Sequence, residues 1–303
     1  MRWPGRIGRW DVKQLLGSGG VAEVLLGVDP ASGEQAALKR CVAERADDPV
    51  QAAALRVEAY LLGRLHHPNV VQLVELIDGP APVVALERLH GCTLGVVLGA
   101  ESPNAVPERF EPLDLRIAIE IAAQAAAALV AVHGAVDESL HALEAVHRDV
   151  SPENLFVTVA GIVKLFDFNV SFLRGHTEAP VPGAMQGRVA YMAPEQARGE
   201  HVTGHADVFS LGVVLWETVV GERLFWRGNK MATLHALLHE PVRRASERRA
   251  VIPRALDDLL VSMLDVDPLR RPSALELERH LRALEPTDRA LRERLASLAA
   301  QRP

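Results

Sequence analysis

The sequence predicts an α+β chain in two lobes: a small β-rich N-terminal lobe with one helix, and a larger, mostly helical C-terminal lobe. Two observations carry this. Over residues 1–90 the apolar positions alternate or run continuously in short stretches punctuated by Gly and Pro, as strands require. From Thr93 onward they recur mostly at three- and four-residue spacing over long stretches, as amphipathic and buried helices require. A chain of 303 residues with 49% hydrophobic and 24% charged content has enough apolar material for both lobes.

Strand-like runs fall at 10–16, 21–28, 35–39, 70–77 and 83–89. Between the third and fourth, Asp48-Pro49 supplies an N-cap followed by proline at the first helical position. Apolar periodicity then continues to Leu65, where His67-Pro68-Asn69 stops it. Helices are expected over 113–133, 206–220, 231–238, 255–264 and 273–284, with short strands at 155–159 and 162–166. Residues 101–112 form a loop rich in Pro and acidic residues, and 288–303 a polar amphipathic tail. A β-rich lobe followed by a helical one implies a cleft between them.

The net charge of −6 argues against a generic nucleic-acid or anionic-membrane binder. The longest uncharged run, 121–136, is shorter than the roughly 20 apolar residues that cross a bilayer, so no membrane-spanning helix is expected. Arginines at the N-terminus have no apolar stretch behind them, which excludes a secretory signal and leads to a cytoplasmic expectation. Cys41 and Cys92 match no metal-ligand spacing and read as reduced, partly buried packing residues. His66-His67 and His201/His205 flank helix ends and read as structural.

Only Lys13, Lys39, Lys164 and Lys230 are lysines in a chain whose other basic residues are arginines. Lys39 ends the strand-like run 35–39, and Glu58 falls on the apolar stripe Leu55, Leu62, Leu65 of the following helix. A carboxylate on a buried face needs a cation, and an ammonium is a point charge suited to phosphate. On these two residues alone, an edge lysine with a partly exposed glutamate is the favoured reading. Gly17-Ser18-Gly19-Gly20 lies between two strands; it would let backbone N–H groups approach an anion, and it equally suits a tight hairpin turn.

Further motifs follow in order. His147-Arg148-Asp149-Val150-Ser151-Pro152-Glu153-Asn154 precedes an apolar strand, and Lys164-Leu165-Phe166-Asp167-Phe168-Asn169 follows the next. Ala193-Pro194-Glu195 comes next, then Asp207 at the start of an apolar helix, and Arg271 in Asp267-Pro268-Leu269-Arg270-Arg271-Pro272. With these motifs the sequence resembles the protein kinase family, specifically bacterial serine/threonine kinases of eukaryotic type, from about Ile7 to Leu284.

The resemblance implies a two-lobed catalytic domain over 7–285, its lobes dividing near 88/89, and a polar helical tail over 286–303. It implies a Mg-ATP-dependent enzyme acting on serine and threonine hydroxyls of proteins. Leu16, Gly17, Ser18, Gly19, Gly20, Val21, Ala22, Glu23 and Val24 would cover ATP, with Ala22 where the family usually has a third glycine. Lys39, paired with Glu58, would contact the α- and β-phosphates. Leu16, Val24, Ala37 and Phe156 would sandwich adenine, Glu87-Arg88-Leu89 would be the hinge, and Leu86 would guard the back of the pocket. Asp149 would orient the attacking hydroxyl, and Asn154 with Asp167 would hold magnesium. Leu62, Leu73, His147 and Phe168 would stack across the lobes, Glu195 would pair with Arg271, and Asp207 would hold the catalytic-loop backbone. The Ala-Pro-Glu segment and its arginine favour a protein substrate.

Besides Ala22, further positions depart from the family pattern. Asn169 replaces a glycine; Ser151 replaces a lysine that touches the γ-phosphate; Arg188 replaces the threonine bonded to that lysine. A cation on the activation-segment side would then serve the transferred phosphoryl group, which makes Arg188 a catalytic candidate. Ala184 stands at the usual phosphoacceptor position, with Thr177 well upstream, so activity is expected without activation-segment phosphorylation and Arg148 lacks its usual phosphate partner. The same departures would fit a nucleotide-binding pseudokinase acting as a scaffold or an allosteric partner. No nucleic acid or membrane is expected as a partner; a protein substrate is, with room for a regulatory protein.

Overall fold

Alternation along the first 90 residues becomes an antiparallel sheet of six strands in the order β1-β2-β3-β4-β6-β5. The computed structural model describes residues 5–100, 107–168, 171–174 and 188–300, and the chain divides into two units, Met1–His90 and Gly91–Pro303. In the first unit, β1 (Arg6–Ile7), β2 (Trp10–Ser18), β3 (Ala22–Val28) and β4 (Gln35–Cys41) form a meander. Helix α1 (Pro49–Leu62) then precedes β5 (Leu73–Ile77) and β6 (Val83–Glu87). Trp10, Leu25, Ala36, Leu38, Val83 and Ala85 make a buried cluster on one sheet face. Alternation puts Ala37 and Lys39 on the other face.

The helix start is the one the sequence implies: Asp48 Oδ1 accepts from Val50 N at 2.9 Å, and Pro49 takes the first position. The end differs. The helix stops at Leu62, not Leu65, because Gly63 caps it and the next two amides bond three residues back instead of four. Strand β5 likewise starts at Leu73, not Val70. Gln72 Nε2 donates to the carbonyls of His67 and Val70, and Gln72 N donates to Glu87 Oε1, so side chains satisfy backbone groups that a ladder would otherwise use.

In the second unit a small sheet runs β7 (Gly91–Thr93), β8 (Leu155–Thr158), β9 (Val163–Leu165). Around it lie α2 (Leu94–Val97), α3 (Leu115–His133), α4 (Pro194–Arg198), α5 (Gly204–Val220), α6 (Lys230–His239), α7 (Ala245–Arg248), α8 (Arg254–Met263), α9 (Ala274–Leu284) and α10 (Arg289–Ala300). Neither β7 nor the four-residue helices α2 and α7 have a sequence signal, being too short for a period to register.

Helix α3 is longer and more apolar than the uncharged run alone suggests. Among the described residues it is a helix long and apolar enough to cross a membrane, because Arg116 and Glu120 interrupt the uncharged run without making the helix polar overall. It is mostly buried inside the unit, packed on α5 and α9. Helix α10 buries Leu291, Leu295 and Ala299, at four-residue spacing, toward α3 and β8. Both cysteines are buried, and neither forms a disulfide among the described residues.

Candidate active site

Strands β2 and β3 form a hairpin whose tip is closed by Gly19 N donating to Ala22 O at 2.8 Å. Gly17, Gly19 and Gly20 all lack positive φ, and a Cβ on Gly17 or Gly20 would meet nothing within 4 Å. Neither backbone strain nor crowding inside the hairpin therefore calls for glycine here. Register brings Val24 opposite Lys39, and Ala37 opposite Leu86, so these four share one sheet face. Glu23 belongs to the opposite face, where its carboxylate pairs with Arg40 at 2.7 Å. Leu16, Val21, Ala22, Arg88 and Leu89 are half-buried, and Ser18 is exposed.

Lys39 Nζ lies 2.7 Å from both oxygens of Glu58. Their side chains are 6% and 0% exposed, so this is a buried pair and not an edge lysine beside a solvated glutamate. The stripe on α1 that carries Glu58 inward is the one read from Leu55 and Leu62, which are both buried.

In the second unit the loop before β8 is held from below. Asp207, fully buried near the start of α5, accepts His147 N on Oδ2 and Arg148 N on Oδ1, each at 2.8 Å. Arg148 itself has φ +68°, left-handed backbone that a side chain rarely adopts without such restraint. Its buried guanidinium lies 4.7 Å above the Phe172 ring, and its Nε has no hydrogen-bond partner among the described residues.

The next residue, Asp149, gathers the remaining polar groups. Asn154 Nδ2 donates to its carbonyl at 2.8 Å and to Oδ2 at 2.7 Å. Arg188 Nη1 donates to Oδ2 at 2.6 Å, and Arg188 N to Oδ1 at 3.1 Å. The same Nη1 is 3.2 Å from Ser151 Oγ, and Arg188 Nε is 3.5 Å from the buried carboxylate of Glu153. Burial pushes the Asp149 carboxyl upward; Arg188 and His147 pull it down and the Asp167 carboxylate adds to the rise, with the upward direction prevailing.

Asp167 follows β9 at φ +64°, and the Phe166 amide bonds the Asn154 carbonyl at 3.1 Å, tying the two segments together. Asn169, Thr177 and Ala184 lie outside the described residues. Beyond them, Tyr191 anchors the chain after Arg188 by donating to the buried Glu217 at 2.9 Å. Phe156 pairs with Thr93 and Lys164 in the small sheet and meets Phe166 edge-on at 6.2 Å. His147 and Phe168 also meet edge-on, at 4.7 Å.

Magnesium would take oxygen donors and keep waters and phosphate oxygens in its shell. Both bonds from Asn154 use Nδ2, which leaves its Oδ1 as the acceptor, and Asp167 adds a carboxylate. That donor set is hard and small, and it fits a metal shared with a nucleotide better than one caged by protein alone. No cluster of three His, Cys, Asp or Glu suited to a metal occurs among the described residues.

Arg271 donates to both oxygens of Glu195, at 2.6 and 2.8 Å, with both residues buried. A profile describing the protein kinase domain matches residues 10–281, which includes every motif above. The chain belongs to the protein kinase domain family. It has that family's two-lobed α+β fold.

The kinase is 34% identical over 269 residues to the tyrosine-protein kinase MasK of Myxococcus xanthus, a match covering 86% of this chain and 40% of that protein. It is 33% identical over 270 residues to the serine/threonine-protein kinase PknB of Mycolicibacterium smegmatis, covering 87% and 40%. It is 32% identical over 285 residues to the serine/threonine-protein kinase PksC of Streptomyces coelicolor, covering 90% and 49%. The chain thus spans half or less of the length of these relatives.

Sequence reading assigned no role to Glu153 or His133 of this kinase. Glu153 is buried beside Arg188, and His133 Nε2 is 2.8 Å from Asp207. A glutamate inside a polar motif and a histidine at a helix end carry no periodicity that distinguishes them from surface residues.

Proposed function

We propose that this kinase transfers the γ-phosphoryl group of Mg-ATP to serine or threonine hydroxyls of protein substrates. The observation that carries the reading is the constellation on Asp149: one buried-loop carboxylate held by Asn154 and Arg188. Held this way, Asp149 has its oxygens fixed to accept the proton side of an acceptor hydroxyl. Lys39 binds the α- and β-phosphates and is itself kept in place by Glu58. Asn154 Oδ1 and the Asp167 carboxylate hold magnesium, which when bound neutralises phosphate charge. Arg188 offers the transferred phosphoryl group a cation from the activation-segment side, with Ser151 small enough to admit it. Leu16, Val24, Ala37, Leu86 and Phe156 contact adenine, and Glu87 and Leu89 offer backbone bonds. The glycines at the β2–β3 tip support the reading, since neither strain nor packing accounts for them.

Activity without activation-segment phosphorylation belongs to the same proposal, as does a cytoplasmic location. A stoichiometric phosphate on Thr177, together with an inactive Thr177→Ala, would reject the first. The choice of acceptor is tested by phosphoamino-acid analysis. The name of MasK makes phosphotyrosine the informative alternative.

One observation favours a second reading. Arg188 bonds both oxygens of Asp149, which is what a scaffold that binds nucleotide without transferring phosphate would tolerate. Measurement of γ-phosphate transfer by wild type and by Asp149→Asn separates the two.

A further inference from the structure

We propose that α10 is a positioning strap for the metal site: latched to the buried Glu120 through Thr287, it holds the far turn of the β8–β9 hairpin, whose two ends carry Asn154 and Asp167. The kinetic consequence rests on the phosphotransfer reading, in which those two residues hold magnesium; the docking of the strap rests on geometry alone.

The helix lies beyond residues 10–281, which the kinase-domain profile matches, yet it is built into the second unit. Leu291, Leu295 and Ala299 are buried, and the helix packs on α3, β7 and β8. Its backbone also reaches the turn at 159–162: a Cβ on Gly161 would collide with the Arg292 carbonyl, and Gly161 has φ +73°. Glycine meets both demands. The turn is stiff. Thr158 N and Gly161 N bond the Ile162 and Thr158 carbonyls at 2.9 Å each, and Thr158 Oγ1 accepts from Ile162 N at 3.0 Å. From there the strands pair Val157 with Val163 and Leu155 with Leu165. Asn154 enters β8, Asp167 follows β9, and the Phe166 amide bonds the Asn154 carbonyl. A displacement of the turn is therefore carried along a short, stiff hairpin to both candidate metal ligands.

The latch is a carboxylate with no part in the proposed transfer. Glu120, on α3, is 1% exposed. Its Oε2 accepts from Thr287 Oγ1 at 2.6 Å and from Arg282 Nη1 at 2.5 Å, and its Oε1 accepts from Gln124 Nε2 at 2.8 Å. Gln124 in turn accepts Val163 N on Oε1 at 2.7 Å and donates to the Gly161 carbonyl at 3.2 Å. One buried charge thus joins the α9–α10 connector to the same turn that α10 covers. Arg116 bonds Glu285 and Asp288 at 2.7 and 3.1 Å, Asp288 Oδ1 accepts from Leu291 N at 2.7 Å, and Arg294 pairs with Asp114 at 3.2 Å. These contacts fix the connector and the middle of the helix. Opening the strap would expose Leu291 and Leu295 and take a hydrogen bond from a buried carboxylate, and both costs keep it closed.

The test uses the full chain with Thr287→Val, Thr287→Ser and Leu295→Asp. Amide hydrogen exchange in α10 and at Val163 reads the docking. The magnesium concentration for half-maximal phosphotransfer at saturating ATP, set against KM for the protein substrate, reads the consequence. Thr287→Val should speed exchange in α10 and at Val163 about tenfold, the size of one lost hydrogen bond to a charged group. It should raise the magnesium requirement about threefold or more, with KM for the protein substrate unchanged. Thr287→Ser, whose hydroxyl still donates, should match wild type. Leu295→Asp should exceed Thr287→Val on both readings; where it does not fold, the threonine pair decides alone. Wild-type exchange at Val163, or a wild-type magnesium requirement, in Thr287→Val or in a Leu295→Asp protein whose α10 exchanges freely overturns the proposal. A Thr287→Ser protein as altered as Thr287→Val overturns it too. If wild type transfers no phosphate, the functional reading fails, and exchange at Val163 still decides whether α10 holds the hairpin.

Discussion

Arg188 donates to both oxygens of the Asp149 carboxylate, with Nη1 2.6 Å from Oδ2 and the Arg188 amide 3.1 Å from Oδ1. The arginine also touches Ser151, so the cation and the small hydroxyl that replace the family's lysine and threonine lie side by side. One side chain thus bonds the candidate base, and on the proposed reading the same side chain would serve the transferred phosphoryl group.

Replacing that arginine should cost rate. Arg188→Thr is expected to lose about 2–4 kcal/mol of transition-state stabilisation, read from kcat/KM, and Ser151→Lys added to it should restore much of the loss. A harmless Arg188→Thr, or a double variant as slow as the single, would remove Arg188 from the mechanism.

The same substitution has a signed pH effect. Burial raises the Asp149 carboxyl and Arg188 lowers it, so without Arg188 it rises further. Asp149 must be ionised to accept a proton, and the acidic limb of the kcat/KM profile should move to higher pH in Arg188→Thr. A limb that stays or moves down would contradict the assignment.

The buried Lys39–Glu58 pair separates stability from function. Lys39→Met takes the ammonium away from a carboxylate that is 0% exposed and should cost about 3–5 kcal/mol of unfolding free energy as well as phosphotransfer. Adding Glu58→Leu should return much of the stability in denaturant melts and none of the transfer. Recovery of activity in the double variant would mean that Lys39 acts only as a packing partner.

Nucleotide binding should depend on metal through Asp167. Thermal shifts by ATP with magnesium are expected to exceed those by ATP with EDTA, and Asp167→Asn should erase the difference. Equal shifts in all three conditions would remove Asn154 and Asp167 as the metal site.

Asp207 links the fold to acid. Its folded carboxyl lies below the ordinary 3.8, so the unfolded chain binds more protons in the window beneath that value. Its contribution is complete above pH 3.8 and is lost as pH falls through the lower folded value. The stability of Asp207→Asn, followed by denaturant melts from pH 5 downward, should therefore fall less steeply than that of wild type; parallel curves would show that Asp207 is not stabilised in the fold.

Much of this was legible in the sequence because it rests on periodicity or on motif order. Alternation located β2, β3 and β4, and the stripe on α1 put Glu58 among apolar positions with Lys39 as its candidate partner, while leaving a partly exposed glutamate open. The contiguous run from His147 to Asn154 put Asp149 and Asn154 in one loop, where their side chains bond. Boundaries failed where side chains replaced backbone partners, as Gln72 does ahead of β5, or where one glycine ended α1 early. The long-range pairs were least legible. Arg188 meets Asp149 across 39 positions and His133 meets Asp207 across 74, and no local pattern encodes either.

The most direct measurement is transfer of labelled γ-phosphate from ATP to a protein substrate by wild type and by Asp149→Asn. The account predicts magnesium-dependent labelling of serine or threonine by wild type, and a loss of at least about a hundredfold in a folded Asp149→Asn protein. Equal labelling by the two proteins, or none by a wild type that binds ATP, would contradict it.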